Sequence, residues 1–181
     1  LLRNIFLKEI DSGFIKLLEL PHRGVSAARN SGISAASGDI VFFLDSDNTW
    51  EPYHTLLASC AYSLNPEINS TYSALAVFAD GCAEPEIRFE TYRRDLLISN
   101  NFIDLNIFSH RRAPMAGRGA IFDEKMTRLV DWDYILRCTN KDPPYAIPYV
   151  AAKYYLDRER LSNITLTVPL ESNLLRLRER H

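Results

Sequence analysis

The sequence predicts an α/β protein in which helices pack against a mostly parallel central sheet. Segments with helical spacing alternate with short apolar runs along the chain, as they do in α/β domains. The run at residues 39–44 is almost continuously apolar, which is typical of a strand buried on both faces in a parallel sheet. The 181 residues are enough for one sizeable core. We therefore expect a single domain over residues 1–181.

The individual elements are predicted in order from periodicity and from glycine and proline stops. Helices are expected at residues 2–10, between Ser26 and Gly38, and at residues 52–64, 94–100, 131–139 and 169–181. Strands are expected at residues 14–20, 39–44, 73–78, 87–92 and 107–112, with one or two more at residues 145–156.

Two aspartates follow the apolar run directly. Asp45 and Asp47 are separated by one residue and come at the carboxyl end of the predicted strand, the edge of an open α/β sheet at which ligands bind. Carboxylates suit Mg²⁺ or Mn²⁺, which is usually held by one or two of them together with substrate phosphates. The alternative is an ordinary turn or cap before the helix at residues 52–64.

The segment before the strand adds a longer pattern. Ser26 is suited to cap a helix, Arg29 and Asn30 lie in its first turns, and Gly38 ends it. The ordered string GVSAARNSGISAASGDIVFFLDSDNTW at residues 24–50 resembles the nucleotide-sugar glycosyltransferases of family two. That family typically shows G-x-S-x-A-R-N followed by G-D-x-x-x-x-L-D-S-D-D, and this chain differs at Asn48, where a further Asp is usual.

A second block resembles the same family independently. It consists of Arg111 and Arg112, the run GAIFDE at residues 119–124, and DWDYILR at residues 131–137, with Val130 where the family usually has Glu. Through this match the resemblance implies that Asp131 is the general base, with Asp133 as the next candidate. The alternative is that Asp131 only caps a helix.

The resemblance implies a GT-A-like three-layer fold and an inverting hexosyl transfer from a nucleotide-diphosphate donor, expected to be UDP-linked, to a glycan or glycolipid hydroxyl, as in polysaccharide biosynthesis. Asp47 would bind the divalent metal, Mn²⁺ or Mg²⁺, as the second acid of a D-x-D motif. Asp45 would approach the ribose or the water shell of the metal. Arg29 and Asn30 would lie beside the donor pocket.

The start of the chain differs from that family. Such transferases usually open with a strand-helix-strand unit that ends in Asp-Asp-Gly-Ser and grips the nucleotide base, whereas residues 1–10 here resemble the helix that follows it. We therefore expect a domain that is partial at its N-terminus. Expressed alone, the chain is expected to lack activity and to bind nucleoside diphosphate weakly or not at all. It is also expected to self-associate through exposed sheet edges and apolar faces, or to be marginally stable.

The composition excludes some partners and leaves others open. A net charge of -2 argues against nucleic-acid binding. The three cysteines show no C-x-x-C spacing and no apolar run is long enough for a membrane span, so a reducing, cytoplasmic location is expected. The basic leucine-rich helix at residues 169–181 allows peripheral contact with the inner face of a membrane, although packing on its own domain is the favoured interpretation. A non-catalytic GT-A-like module and a nucleotidyltransferase are the alternative functions.

Overall fold

The computed structural model describes residues 5–79, 83–117, 121–156 and 170–181, and it has a mixed α/β architecture. The strands are β1 (Ile40–Phe42), β2 (Thr49–Trp50), β3 (Ser70–Ala79), β4 (Glu86–Arg88), β5 (Phe108–Arg111) and β6 (Tyr145–Leu156). The helices are α1 (Leu7–Asp11), α2 (Val25–Ala35), α3 (His54–Leu64), α4 (Arg94–Ser99), α5 (Arg112–Gly117), α6 (Val130–Cys138) and α7 (Glu171–Arg180), with a 3₁₀ turn at Leu105–Ile107.

The described strands form one sheet in the order β1-β5-β3-β6-β2, with β4 also paired to β3. The long β3 and β6 run parallel, from Thr71 opposite Tyr145 to Ala79 opposite Leu156. The α/β class is confirmed, but the strand directions differ from the mostly parallel sheet that we expected, since the other four ladders are antiparallel. The expectation that the apolar run is buried on both faces was also wrong, since Val41 is buried but Leu44 is 49% exposed. The strand of this run, β1, lies at the end of this order.

The main core lies where α6 and the 3₁₀ turn pack on the sheet. Phe122 and Tyr134 stack at its centre, with their rings 4.0 Å apart and nearly parallel. Trp132 is buried, and its indole nitrogen donates to the carbonyl of Leu97 at 2.7 Å. Each large apolar side chain buried in this way contributes about 1.5–3 kcal/mol. The start of α6, which carries Asp131, is thereby fixed against α4.

The predicted elements differ from the observed ones mainly near the start of the chain. Residues 14–20 were expected to form a strand, but they are irregular and pair with none of the described strands. Phe14 in this segment is 86% exposed, so the segment lacks the sheet neighbour that would order it as a strand. The first helix is shorter than predicted, Leu7–Asp11, and residues 1–4 lie outside the described residues.

The cap of α2 is also not the one expected. The helix begins at Val25, and its N-cap is Gly24 at φ +88°, a left-handed conformation that favours glycine. Ser26 lies one residue inside the helix, buried, and its side chain makes no cap hydrogen bond. The other predicted helices are confirmed to within a few residues, residues 145–156 form one strand, and β2 and α5 were not predicted.

Free thiols are present at Cys60, which is exposed, and Cys138, which is buried; Cys82 lies outside the described residues. No helix in the described ranges is long and apolar enough to cross a membrane. α7 buries Leu177 in the main core and so packs on its own domain.

The exposed apolar side chains of residues 5–25 generate a prediction about association. Ile5, Phe14 and Leu20 are 60%, 86% and 49% exposed, and clustered apolar exposure favours contact with other molecules. We expect the 181-residue chain to self-associate, and the Phe14→Ser, Leu20→Ser double variant to be more monomeric in sedimentation velocity. Leu64→Ser is the matched control, since this 80% exposed leucine lies elsewhere, on α3. A parent chain that stays monomeric on concentration would contradict the prediction.

Candidate active site

The turn after β1 carries the two aspartates, and we call residues 45–48 the acid turn. The backbone N–H of Asn48 donates to the carbonyl of Asp45 at 3.2 Å and closes it. α3 begins only at His54, with Tyr53 as its N-cap, so neither aspartate caps that helix. The carboxylate of Asp47 is exposed and makes no hydrogen bond or ion pair within the described ranges. Asp47 is therefore available to a ligand.

Asp45, in contrast, is held on several sides. Nη2 of Arg29 lies 2.7 Å from its Oδ1, and Nδ2 of Asn106 donates to its Oδ2 at 3.2 Å. Its backbone N–H donates to Oδ1 of Asn106 at 2.7 Å. The side chain of Asp45 is 39% exposed, so one face of this fixed carboxylate remains open to solvent.

Asp104, which the sequence analysis did not identify, joins the site from the 3₁₀ turn. Its Oδ1 accepts from both the backbone N–H and the side-chain Nδ2 of Asn106, at 2.8 Å each. Burial raises the pKa of Asp104; the hydrogen bonds from Asn106 oppose that rise, and the negative charges of Asp131 and Asp45 add to it. Asp45 and Asp131, from distant parts of the chain, therefore both act electrostatically on the carboxyl group of Asp104.

Asp131 is the second residue of α6 rather than its cap. Leu129 is the N-cap, at a left-handed φ of 60°, and no side chain caps the helix. The alternative that Asp131 serves only as a cap is therefore ruled out. Asp131 is half-buried, and its carboxylate makes no hydrogen bond or ion pair with any described residue. It is a free acceptor beside Asp104.

Tyr154 on β6 shows that the acids share one environment. Burial raises the pKa of its hydroxyl, and the charges of Asp104, Asp47, Asp45 and Asp131 raise it further. Because the charges of all four carboxylates act on this one hydroxyl, the four face a common region of the structure. The structure thus brings together Asp45, Asp47 and Asp131.

Asn30 connects the two sequence blocks. Its amide nitrogen donates to the carbonyl of Phe122 at 3.0 Å and to Oε1 of Glu124 at 3.1 Å, while its oxygen accepts from the N–H of Phe122 at 2.7 Å. The guanidinium of Arg29 lies 5.3 Å from the centre of the Phe122 ring. Asn30 therefore has a structural role, and its contact with a donor stays a prediction.

Asp133 faces the opposite way from Asp131 and is fully buried. It pairs with Arg137 at 2.9 Å, Arg180 at 2.8 Å and His181 at 3.3 Å. Burial acts to raise the pKa of Asp133, but the hydrogen bond from His181 and the charges of Arg137 and Arg180 hold it below the usual value. A paired carboxylate with a low pKa is a poor base, so Asp131 is the better candidate.

A divalent metal fits the acid turn only together with a ligand. In the described parts of the chain, no group of three or more His, Cys, Asp or Glu side chains could hold a metal ion. Asp45 is already engaged by Arg29 and Asn106, which leaves Asp47 as the open carboxylate. One carboxylate with substrate phosphates is a normal arrangement for Mg²⁺. The side chains present therefore fit a metal that is shared with a diphosphate.

The family comparison covers the residues around the acid turn. Residues 5–59 match the sequence model of Glycosyl transferase family 2. The resemblance to family two is confirmed. The match includes Arg29, Asn30, Asp45 and Asp47 and ends before Asp131. No curated protein matches the chain in sequence.

Solved structures support the fold assignment. The chain aligns with S. aureus TarS 1-349 in complex with UDP-GlcNAc at a TM-score of 0.69 and 13% identity, over 97% of this chain and 52% of that one. It aligns with TarS 1-349 in complex with UDP at a TM-score of 0.62 and 15% identity, over 86% and 48% of the two chains. The GT-A-like fold class is confirmed, and the chain spans about half the length of these neighbours.

Sequence reasoning missed Asp104, Asn106 and Tyr154. The only local signal was the Asp104-Leu105-Asn106 triplet, because an Asp side chain often accepts a hydrogen bond from the backbone N–H two residues later and so forms a turn. Nothing in the sequence linked that triplet to Asp45, since the hydrogen bonds cross 61 residues of chain.

The opposite surroundings of the two acids of α6 generate a prediction. Asp133→Asn should lower the free energy of unfolding by about 1–3 kcal/mol, because Arg137 and Arg180 lose their buried partner; they are partly exposed, so the loss stays below that of a fully buried pair. Asp131→Asn should stay within about 0.5 kcal/mol of the parent. Urea denaturation measures both, and equal losses would contradict the assignment.

Proposed function

We propose that the protein is a metal-dependent inverting glycosyltransferase, which moves a hexosyl group from a UDP-linked donor to the hydroxyl of a glycan or glycolipid. The observation that carries this proposal is the unpartnered Asp131 carboxylate, which lies with the acid turn around one site. The family match at residues 5–59 and the TarS neighbours, whose structures hold UDP-GlcNAc and UDP, support the donor class.

Asp131 has the properties of a general base. In an inverting transfer the acceptor oxygen attacks the anomeric carbon, the bond from that carbon to the diphosphate breaks, and the electron pair leaves with the diphosphate. The acceptor proton passes to a carboxylate. Asp131 is free to take it, whereas Asp133 and Asp45 are held by cations.

On the donor side, Asp47 is the residue that would hold Mn²⁺ or Mg²⁺. When bound, the metal would supply positive charge beside the diphosphate as negative charge develops there. The ion pair with Arg29 keeps the carboxylate of Asp45 oriented. Arg29 and Asp45 are proposed to line the donor site.

The proposed metal role predicts that activity depends on Asp47. In the active protein, Asp47→Ala should remove most transfer while the free energy of unfolding stays near that of the parent, because the exposed carboxylate makes no intramolecular contact among the described residues. The assay is release of UDP from a donor in the presence of Mn²⁺, with and without chelator. Asp95→Ala removes another exposed acid and is the control. Chelator-resistant transfer would count against the metal.

The base role predicts a larger and more specific loss for Asp131. Asp131→Asn keeps the size and hydrogen-bonding capacity of the side chain but removes the proton acceptor, so the rate should fall by about 10²–10⁴. Donor binding, followed by calorimetry, should change little. The anomeric configuration of the parent's product, read by NMR, tests inversion. Transfer by the Asn variant within a few-fold of the parent would place the base elsewhere.

A further inference from the structure

Asn106 is almost fully buried, at 1% exposure, and uses both ends of its amide. The oxygen accepts from the backbone N–H of Asp45 at 2.7 Å. The nitrogen donates to Oδ2 of Asp45 at 3.2 Å and to Oδ1 of Asp104 at 2.8 Å. The side chain of Asn106 therefore hydrogen-bonds to the backbone and the carboxylate of Asp45 and also to the carboxylate of Asp104.

The position of Asn106 is itself fixed. Its neighbours Leu105 and Ile107 are each 1% exposed, and its backbone N–H is capped by Asp104. Its carbonyl accepts from the indole nitrogen of Trp50 at 2.9 Å. Because Asn106 is fixed by these contacts, its hydrogen bonds to Asp45 hold the acid turn in one position.

We propose that Asn106 is a positioning residue, which holds Asp45 at the angle needed for donor binding. This inference rests on the proposed function, since it assigns Asp45 to the donor site. Asn106 acts through Asp45 and need not touch the substrate.

The chemistry of the contact explains why an amide is required. The position must accept from an N–H and donate to two carboxylates at once, and a short side chain with both capacities is asparagine. An aspartate of the same shape would have no donor and would place a third negative charge between Asp45 and Asp104. A leucine would fill the space and leave the N–H of Asp45 without its partner.

The decisive experiment is a double-mutant cycle on donor binding. Asn106→Leu should raise the donor KM about tenfold or more while kcat stays within a few-fold. Without the hydrogen bond from Asn106, the carboxylate of Asp45 is no longer oriented for donor binding. In the Asp45→Ala background the same substitution should have almost no further effect on KM. Equal effects in both backgrounds would overturn the proposal, because Asn106 would then act independently of Asp45.

Trp50→Phe is the matched control. It removes the hydrogen bond to the carbonyl of Asn106 and loosens the same 3₁₀ turn, but it leaves the side-chain amide intact. We expect lower stability in urea without a matching rise in donor KM. A similar rise in KM for Trp50→Phe and Asn106→Leu at similar losses of stability would show a purely structural role. If Asn106→Leu does not fold, Asn106→Ala, which also lacks both the donor and the acceptor, replaces it with the same expectation.

A second readout does not depend on activity. Hydrogen exchange of the Asp45 amide should be protected in the parent and accelerated at least tenfold in Asn106→Leu, because its acceptor is removed. An unchanged exchange rate would overturn the positioning role whatever the enzyme does. Faster exchange of the Asp45 amide with an unchanged donor KM in the active protein would instead remove Asp45 from the donor site and leave the contact itself established.

Discussion

The parallel pairing of β3 with β6 is the interaction on which the rest of the structure depends. Parallel strands cannot be joined by a tight turn, so the chain between them has to cross over before it returns to the sheet. Residues 80–144 make that crossing and carry β4, α4, the 3₁₀ turn, β5 and α6 with them. The pairing thus determines that Asp104 and Asp131, which lie in the crossing segment, act electrostatically on Tyr154 of the strand that follows it.

The carboxylates of the site and of α6 fall into two groups, those that pair with an arginine and those that do not. Asp45 and Asp133 are neutralised by arginines, at 2.7 Å and 2.8–2.9 Å, and act as fixed parts of the structure. Asp47 and Asp131 have no such partner among the described residues. The unpaired acids are therefore the carboxylates that remain available to a group from outside the chain.

The sequence predicted the α/β class, most helices and the residues of the acid turn, because these depend on local signals: apolar periodicity, glycine stops and an ordered family motif. It did not predict the antiparallel direction of β1, since the burial of Val41 is the same for either direction. It also did not predict Asn106 or the structural task of Asn30. Their partners lie 61 and 92 residues away, and no spacing rule connects them.

The long separation of these contacts has a consequence for the order of folding. Residues 5–59 match the family model, yet Asn30 and Asp45 depend for their hydrogen bonds on Phe122 and Asn106, which lie outside that segment. Closing such large loops lowers the entropy of the chain before the contacts that offset this loss can form. These hydrogen bonds are therefore expected to form late in folding. The motif segment is therefore not an independent folding unit. Its geometry forms only when the whole domain folds, and any partial opening that releases β5 and its neighbours removes the partners of Asn30 and Asp45 together with the pairing of β5 to β1 and β3.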